Sequence, residues 1–185
     1  ISIGTAFTLT AGTGFSNSSG GWINAAGALI AATGSIANAG TFTVADNLLA
    51  GGSFINTGTV FVSGGNLIGS GGLTNDAGGT ISIGAGRTLS VGGVLVNGVP
   101  TGTYAYIYLN GGVLSASSIT DRGSAVISGY GVVNSSISAS GTVIVGGGTM
   151  QINGAIGTAI AAPLFRIGAG TLKLADVVVG TGTLH

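Results

Sequence analysis

A short internal repeat is the feature that most restricts what this chain can fold into. Residues 35–44 read SIANAGTFTV, and residues 53–62 repeat them as SFINTGTVFV after a spacer that ends in Gly-Gly. A third copy begins at Leu73, and a fourth opens at Val94. Each copy has an apolar residue two positions before an asparagine, and in the first three copies a Gly-Thr or Gly-Gly-Thr sequence and an alternating segment follow. Such a period indicates one structural unit that is used repeatedly along the chain.

The spacing between the copies varies. The equivalent asparagines are separated by 18, 19 and 22 residues, and Trp22-Ile23-Asn24 resembles a degenerate earlier copy. Segments after residue 138 keep only the Gly-Thr-strand half of the repeat. Unequal spacing is typical of a coil whose turns tolerate insertions, so we predict one continuous repeat segment over residues 1–185.

Alternation within each copy predicts strands. In residues 41–44 threonines alternate with Phe42 and Val44, which is the period of a half-buried strand. The chain has 39 glycines in 185 residues, and each costs a helix about 1 kcal/mol relative to alanine. A unit of about 20 residues holds two or three short strands that cannot bury a face alone. We therefore predict an all-β fold, a single-stranded parallel β-helix (β-solenoid) with rungs of roughly 18–22 residues.

The recurring asparagines are the strongest structural candidates. Four of them stand at the same point before a turn: Asn38, Asn56, Asn75 and Asn97. In a stacked coil they would form a ladder of side-chain amides, in which each amide satisfies the backbone of the next rung. Alternatively, they occupy corners because asparagine tolerates the left-handed conformation. We expect a ladder or corner role rather than a ligand-binding one.

The segment 98–124 interrupts the repeat, and we expect an inserted strand or hairpin there. It contains Tyr104, Tyr106 and Tyr108, which alternate and so share one face of a strand. Exposed aromatic rings with a polar tip could contact a glycan or a protein partner. Alternatively, the segment covers one side of the rod. Both interpretations remain open at this point.

Titratable groups are scarce, which excludes several functions. There are four basic residues, four aspartates, one histidine and no cysteine. A nucleic-acid partner needs clustered cations, and a disulfide framework or thiolate zinc site needs cysteine. Glycine or polar residues break every apolar run well before the roughly 20 residues that a membrane span needs. We expect no nucleic-acid partner and no direct membrane insertion.

The same scarcity argues against catalysis, which needs titratable groups held together. The aspartates are far apart in sequence, and the histidine is residue 185. We expect a non-enzyme without cofactor or metal. We interpret Asp46, Asp76 and Asp121 as turn residues that accept backbone N–H bonds. Exposed ion pairs are expected within Asp121-Arg122 and between Lys173 and Asp176.

Several later phrases resemble known surface proteins. Residues 126–137 (VISGYGVVNSSI), 141–154 (GTVIVGGGTMQING) and 167–174 (IGAGTLKL) are similar to the β-strand repeats of bacterial autotransporter passengers. They are also similar to those of filamentous-haemagglutinin-like exoproteins. The resemblance implies a secreted rod on the bacterial surface, used for adhesion, for biofilm matrix or to present other domains.

Three functions are consistent with this sequence. The leading one is a structural extracellular rod or filament subunit that self-associates end to end through unpaired strand edges and, being almost uncharged, laterally. The second is an adhesin module that binds a glycan or a host or cell-surface protein through Tyr104, Tyr106 and Tyr108. The third is an ice-binding solenoid, suggested by Thr-x-Thr pairs, although Phe61 and Ser82 stand where the row would need threonine.

Overall fold

The computed structural model describes residues 1–5, 7–26, 30–100, 102–158 and 164–175. These residues form 23 strands and no helix. The strands stack in parallel as a β-solenoid of about eight turns, with rungs of roughly 20 residues. The predicted fold class is therefore confirmed. Each rung lays strands on three faces, which we name A, B and C in chain order.

Face A opens each rung. Its strands are β1 (Ser2–Ile3), β4 (Trp22–Ala25), β7 (Thr41–Val44), β10 (Thr59–Val62), β13 (Thr80–Gly84), the first parts of β16 (Tyr106–Ser115), β18 (Val126–Asn134) and β20 (Thr142–Ile152), and β22 (Leu164–Ile167).

Face B follows. Its strands are β2 (Leu9–Ala11), β5 (Ile30–Ala32), β8 (Leu48–Ala50), β11 (Leu67–Gly69), β14 (Thr88–Val91), the last parts of β16, β18 and β20, and β23 (Thr171–Leu174).

Face C closes the rung as a separate sheet. Its strands are β3 (Gly14–Asn17), β6 (Ser35–Asn38), β9 (Phe54–Asn56), β12 (Leu73–Asn75), β15 (Val94–Asn97), β17 (Ser118–Asp121), β19 (Ile137–Ala139) and β21 (Ile156–Thr158).

In-register stacking builds the core. Phe42 pairs with Val60, and Val60 pairs with Ile81, so apolar side chains form columns along the rod. Phe42 and Val44 are fully buried, whereas Thr41 and Thr43 between them are only half-buried. The period-2 pattern thus directs one set of side chains inward on every rung. Burial of these columns supplies the main favourable free energy of folding.

The segment 98–124, for which the sequence suggests an inserted strand or hairpin, contains two strands of the coil. β16 pairs in parallel with β13 and β14 on one side and with β18 on the other. β17 pairs in parallel with β15 and β19. Among the described residues of this segment, those outside the strands form the short connections on either side of β17 and the longer turn before β16. The repeat is hard to recognise here because this longer turn and an aspartate at position 121 replace its usual signature.

Candidate functional site: the asparagine ladder and the tyrosine row

The four predicted asparagines lie in one row inside the coil, at the ends of successive strands of face C. Asn38 pairs with Asn56, Asn56 with Asn75, and Asn75 with Asn97 in the strand register. The row has two further members, Asn17 before it and Asp121 after it. We call these six residues the ladder: Asn17, Asn38, Asn56, Asn75, Asn97 and Asp121. All are buried, and the last four are 0% exposed.

The ladder is held by hydrogen bonds between side chains. Nδ2 of Asn38 donates to Oδ1 of Asn56 over 2.8 Å, and the same bond recurs from Asn56 to Asn75 and from Asn75 to Asn97. Asn17 donates to Asn38 over 2.8 Å. Asn97 donates to Oδ1 of Asp121 over 2.7 Å. Every bond points from one rung to the next along the chain.

The same amides also bond to the backbone at the corner between faces C and A. Nδ2 of Asn56 lies 3.0 Å from the carbonyl oxygen of Gly58 and 3.2 Å from that of Thr80 on the next rung. Asn38 makes the equivalent contacts with Gly40 and Thr59. A buried polar side chain is costly unless it is hydrogen-bonded, and this pattern satisfies each amide while joining two rungs.

Asp121 has a different environment from the one that its sequence neighbours suggest. It is 0% exposed, whereas Arg122 beside it is exposed. Its Oδ2 has no hydrogen-bond partner, and no ion pair with Arg122 appears among the described residues. The interpretation of Asp121 as a turn residue or exposed ion-pair partner is wrong, because it ends β17 with its side chain turned inward.

The other aspartates agree with the sequence interpretation where they are described. Oδ1 of Asp46 accepts the backbone N–H of Asn47 over 2.7 Å, and Oδ1 of Asp76 accepts that of Ala77 over 2.7 Å. Both are therefore turn residues. The expected pair between Lys173 and Asp176 lies outside the described residues, since Asp176 is not among them.

Two ladder members were missed in the sequence. The repeat alignment pointed to Asn24, but Asn24 lies on face A beside Thr43, and its Oδ1 has no partner. The signal for Asn17 is Phe15-Ser16-Asn17, an apolar residue two positions before an asparagine, 21 residues before Asn38. Asp121 has the same context in Ile119-Thr120-Asp121, with a carboxyl group in place of the amide.

The three predicted tyrosines form a second row, which we call the tyrosine row. The rings of Tyr104 and Tyr106 are stacked with centroids 5.9 Å apart and planes at 15°. Those of Tyr106 and Tyr108 are 5.7 Å apart at 4°. Tyr104 is 53% exposed and Tyr108 is 37% exposed. Stacking turns the ring faces toward one another, so ring edges and hydroxyl groups are displayed along face A.

Threonines on face A form one regular and one irregular column. Thr41, Thr59 and Thr80 are paired on successive rungs, and Tyr106 follows them. In the neighbouring column the order is Thr43, Phe61 and Ser82. The hydroxyl row that an ice-binding face would need is therefore broken, as the sequence indicates.

Within the described ranges, no three His, Cys, Asp or Glu side chains are grouped so as to hold a metal ion. The same residues include no helix long and apolar enough to cross a membrane. A shallow, mostly apolar groove of about 330 Å³ lies on face B, lined by Leu49, Ile68 and the turns that follow them.

Comparison with known proteins adds no further assignment. No protein-family model matches the chain, and neither the curated proteins nor the solved structures gave a match. The architecture is that of a β-helix repeat protein. The resemblance to autotransporter passengers and filamentous haemagglutinins therefore rests on the repeat phrases alone.

Proposed function

We propose that this chain is a structural, non-catalytic rod segment of a bacterial surface, secreted to the cell exterior and used in an adhesin-type or biofilm-type fibre. One observation carries the proposal: the buried ladder runs without a gap through six consecutive rungs. Its bonds lie along the rod and add to the parallel backbone pairing between rungs. Such an arrangement resists extension and needs no chemistry of its own.

Low charge supports assembly of such rods. Charged residues make up 4% of the chain, where an ordinary domain has about 25%. Little electrostatic repulsion therefore opposes lateral contact. Within the described part of the chain, the strands of the first rung pair on one side only. A further rung, from the same chain or from a second copy, would add there through the same parallel pairing.

Electron microscopy combined with light scattering tests this function. We expect thin rods that lengthen or bundle as the protein concentration rises, with a scattering mass that rises in parallel. Antibody labelling of intact producing cells should decorate their outer surface. Isolated particles of constant mass at every concentration, or labelling only after cell lysis, would contradict the proposal.

A glycan- or protein-binding adhesin module is the second candidate, and the exposure of the tyrosine row favours it. Replacing Tyr104, Tyr106 and Tyr108 together by serine would remove the rings and retain hydroxyl groups. If the row binds a partner, adhesion to glycan arrays or host-cell surfaces should fall by more than about tenfold, since aromatic side chains dominate binding energies.

Trp22→Ser is the matched control for this experiment. Trp22 is a 51% exposed aromatic residue of face A, in the same column as Tyr106 but four rungs away. The Trp22→Ser substitution should leave adhesion unchanged. A purely structural rod requires that the triple variant adhere as well as the wild type.

A further inference from the structure

The oxygen of Asp121 that lacks a partner stands where the other ladder members have a hydrogen-bond donor. A Cβ atom built on Gly40 would meet Nδ2 of Asn17 and the carbonyl oxygen of Gly21. A Cβ atom built on Gly141, which holds the equivalent place before a face A strand, would meet Oδ2 of Asp121 and the carbonyl oxygen of Ala125. Oδ2 therefore replaces a donating nitrogen beside a backbone acceptor.

This substitution has a chemical consequence. An amide nitrogen donates to a carbonyl oxygen, but an ionised carboxylate oxygen can only accept, so two acceptors would face each other. A neutral carboxylic acid carries one O–H and restores the missing donor. The corner between faces C and A thus fits the protonated form of Asp121.

We propose that Asp121 is a proton-controlled lock on the rod. When protonated, it closes the ladder by donating its one O–H from Oδ2 to a carbonyl oxygen of this corner. When ionised, it leaves a buried negative charge whose Oδ2 has no donor, and it loosens the rungs that contain β15, β17 and β19. The rod is therefore most stable at acidic pH, where Asp121 is protonated.

The charges around Asp121 are consistent with this role. β15 and β19, the strands that pair with β17, carry no titratable side chain. On the face A strands at this corner, β20 has none, β18 has only Tyr130, and β16 has only Tyr106 and Tyr108. Arg122 is exposed. Within the described residues, no cation faces the carboxyl group to favour its ionised form.

The direction of the pH effect follows from the titration of this group. Burial raises the pKa of Asp121 from 3.8 to about 7, against the smaller opposite effect of the hydrogen bond from Asn97. Between these values the folded chain keeps a proton that the unfolded chain has lost. The contribution of Asp121 to the free energy of unfolding is therefore fully present below about pH 4. It falls as the pH rises toward about 7 and levels off above that value.

Denaturant unfolding at several pH values tests the lock. For the wild type, the unfolding equilibrium constant should rise by up to about tenfold per pH unit between about pH 4 and pH 7. In Asp121→Asn the amide supplies the donor permanently, so this contribution to the slope should vanish. Asp46→Asn, at an exposed turn bond, should keep the wild-type slope, and His185 is common to all three proteins.

Two outcomes overturn the proposal: a wild type without the slope, or Asp121→Asn with the wild-type slope. A second measurement needs no variant. The carboxyl carbon of Asp121, followed by nuclear magnetic resonance in the folded protein, should titrate with a midpoint of about 7. A midpoint near the ordinary value of about 3.9 would also overturn it.

Discussion

At the scale of single residues, the ladder depends on a property that asparagine has and its nearest substitutes lack. Its amide carries donors and an acceptor on a side chain with only one methylene group. One N–H can therefore bond to the next rung while the other reaches the backbone of the corner. Alanine or leucine would fill space but leave those carbonyl oxygens and neighbouring amides without partners.

Asn56→Ala should strongly destabilise the rod. The change leaves Nδ2 of Asn38 without its acceptor and Oδ1 of Asn75 without its donor. We expect a loss of about 2–4 kcal/mol in the free energy of unfolding, because buried polar groups would lose their partners. Urea unfolding followed by circular dichroism measures it.

Asn153→Ala is the matched control, since its side chain is exposed although hydrogen-bonded to Gln151 and Asn134. It should cost less than about 1 kcal/mol. Equal losses in the two variants would show that the ladder adds no stability beyond that of a surface amide.

Sequence reasoning reached the middle of the ladder but not its two ends. Asn38, Asn56, Asn75 and Asn97 were recognisable because the residues around them repeat with them. Asn17 was hidden because a second asparagine, Asn24, offered a competing alignment. Asp121 was misread because an aspartate beside an arginine usually lies at the surface, although Ile119 stands two positions before it as the repeat requires, and the strand register shows that it occupies an inward position.

At the scale of strands and turns, the closeness of successive rungs determines where glycine is required. A Cβ atom on Gly58 would collide with the backbone of Ala39 and Gly40 on the preceding rung. A backbone neighbour cannot move aside as a flexible side chain can. Gly58 therefore marks a position where two rungs touch at a corner, and its own carbonyl oxygen accepts the hydrogen bond from Nδ2 of Asn56.

Gly58→Ala should force these corners apart and destabilise the rod by about 1–3 kcal/mol, the usual cost of overpacking. Gly146→Ala is the control, because a Cβ atom there would meet nothing within 4 Å and its φ is not positive. It should be neutral or slightly stabilising. Thermal unfolding of both variants measures the change in stability of each. A neutral Gly58→Ala would argue against close contact between the rungs.

Strand type and register were predictable from alternation, because the core accepts side chains only from inward positions. Phe42, Val60 and Ile81 align once the asparagines are aligned. The segment 98–124 was harder to interpret, since its turn is longer and its strand β16 continues from face A onto face B through a bend at Gly111, where φ is 87°. Single-rung patterns do not reveal such a continuous strand.

At the scale of the whole molecule, cohesion is local. Each described strand pairs only with its neighbours on adjacent rungs, so stability is close to a sum over rungs and their interfaces. This is why a short repeat was enough to predict the architecture. Function was less predictable, because the outward columns of face A, such as Thr43, Phe61, Ser82 and Tyr108, carry no common chemistry.

The ladder bonds all point in one direction along the rod, which gives the rod a polarity. Every amide gives its hydrogen toward the same end, and all paired strands run parallel, so the two ends differ chemically. Turning one copy end over end reverses the direction in which its chain winds, so joining two copies by like ends would pair their strands antiparallel. A fibre that continues the parallel pairing must therefore be head-to-tail, without a two-fold axis across it, and it should grow at different rates from its two tips.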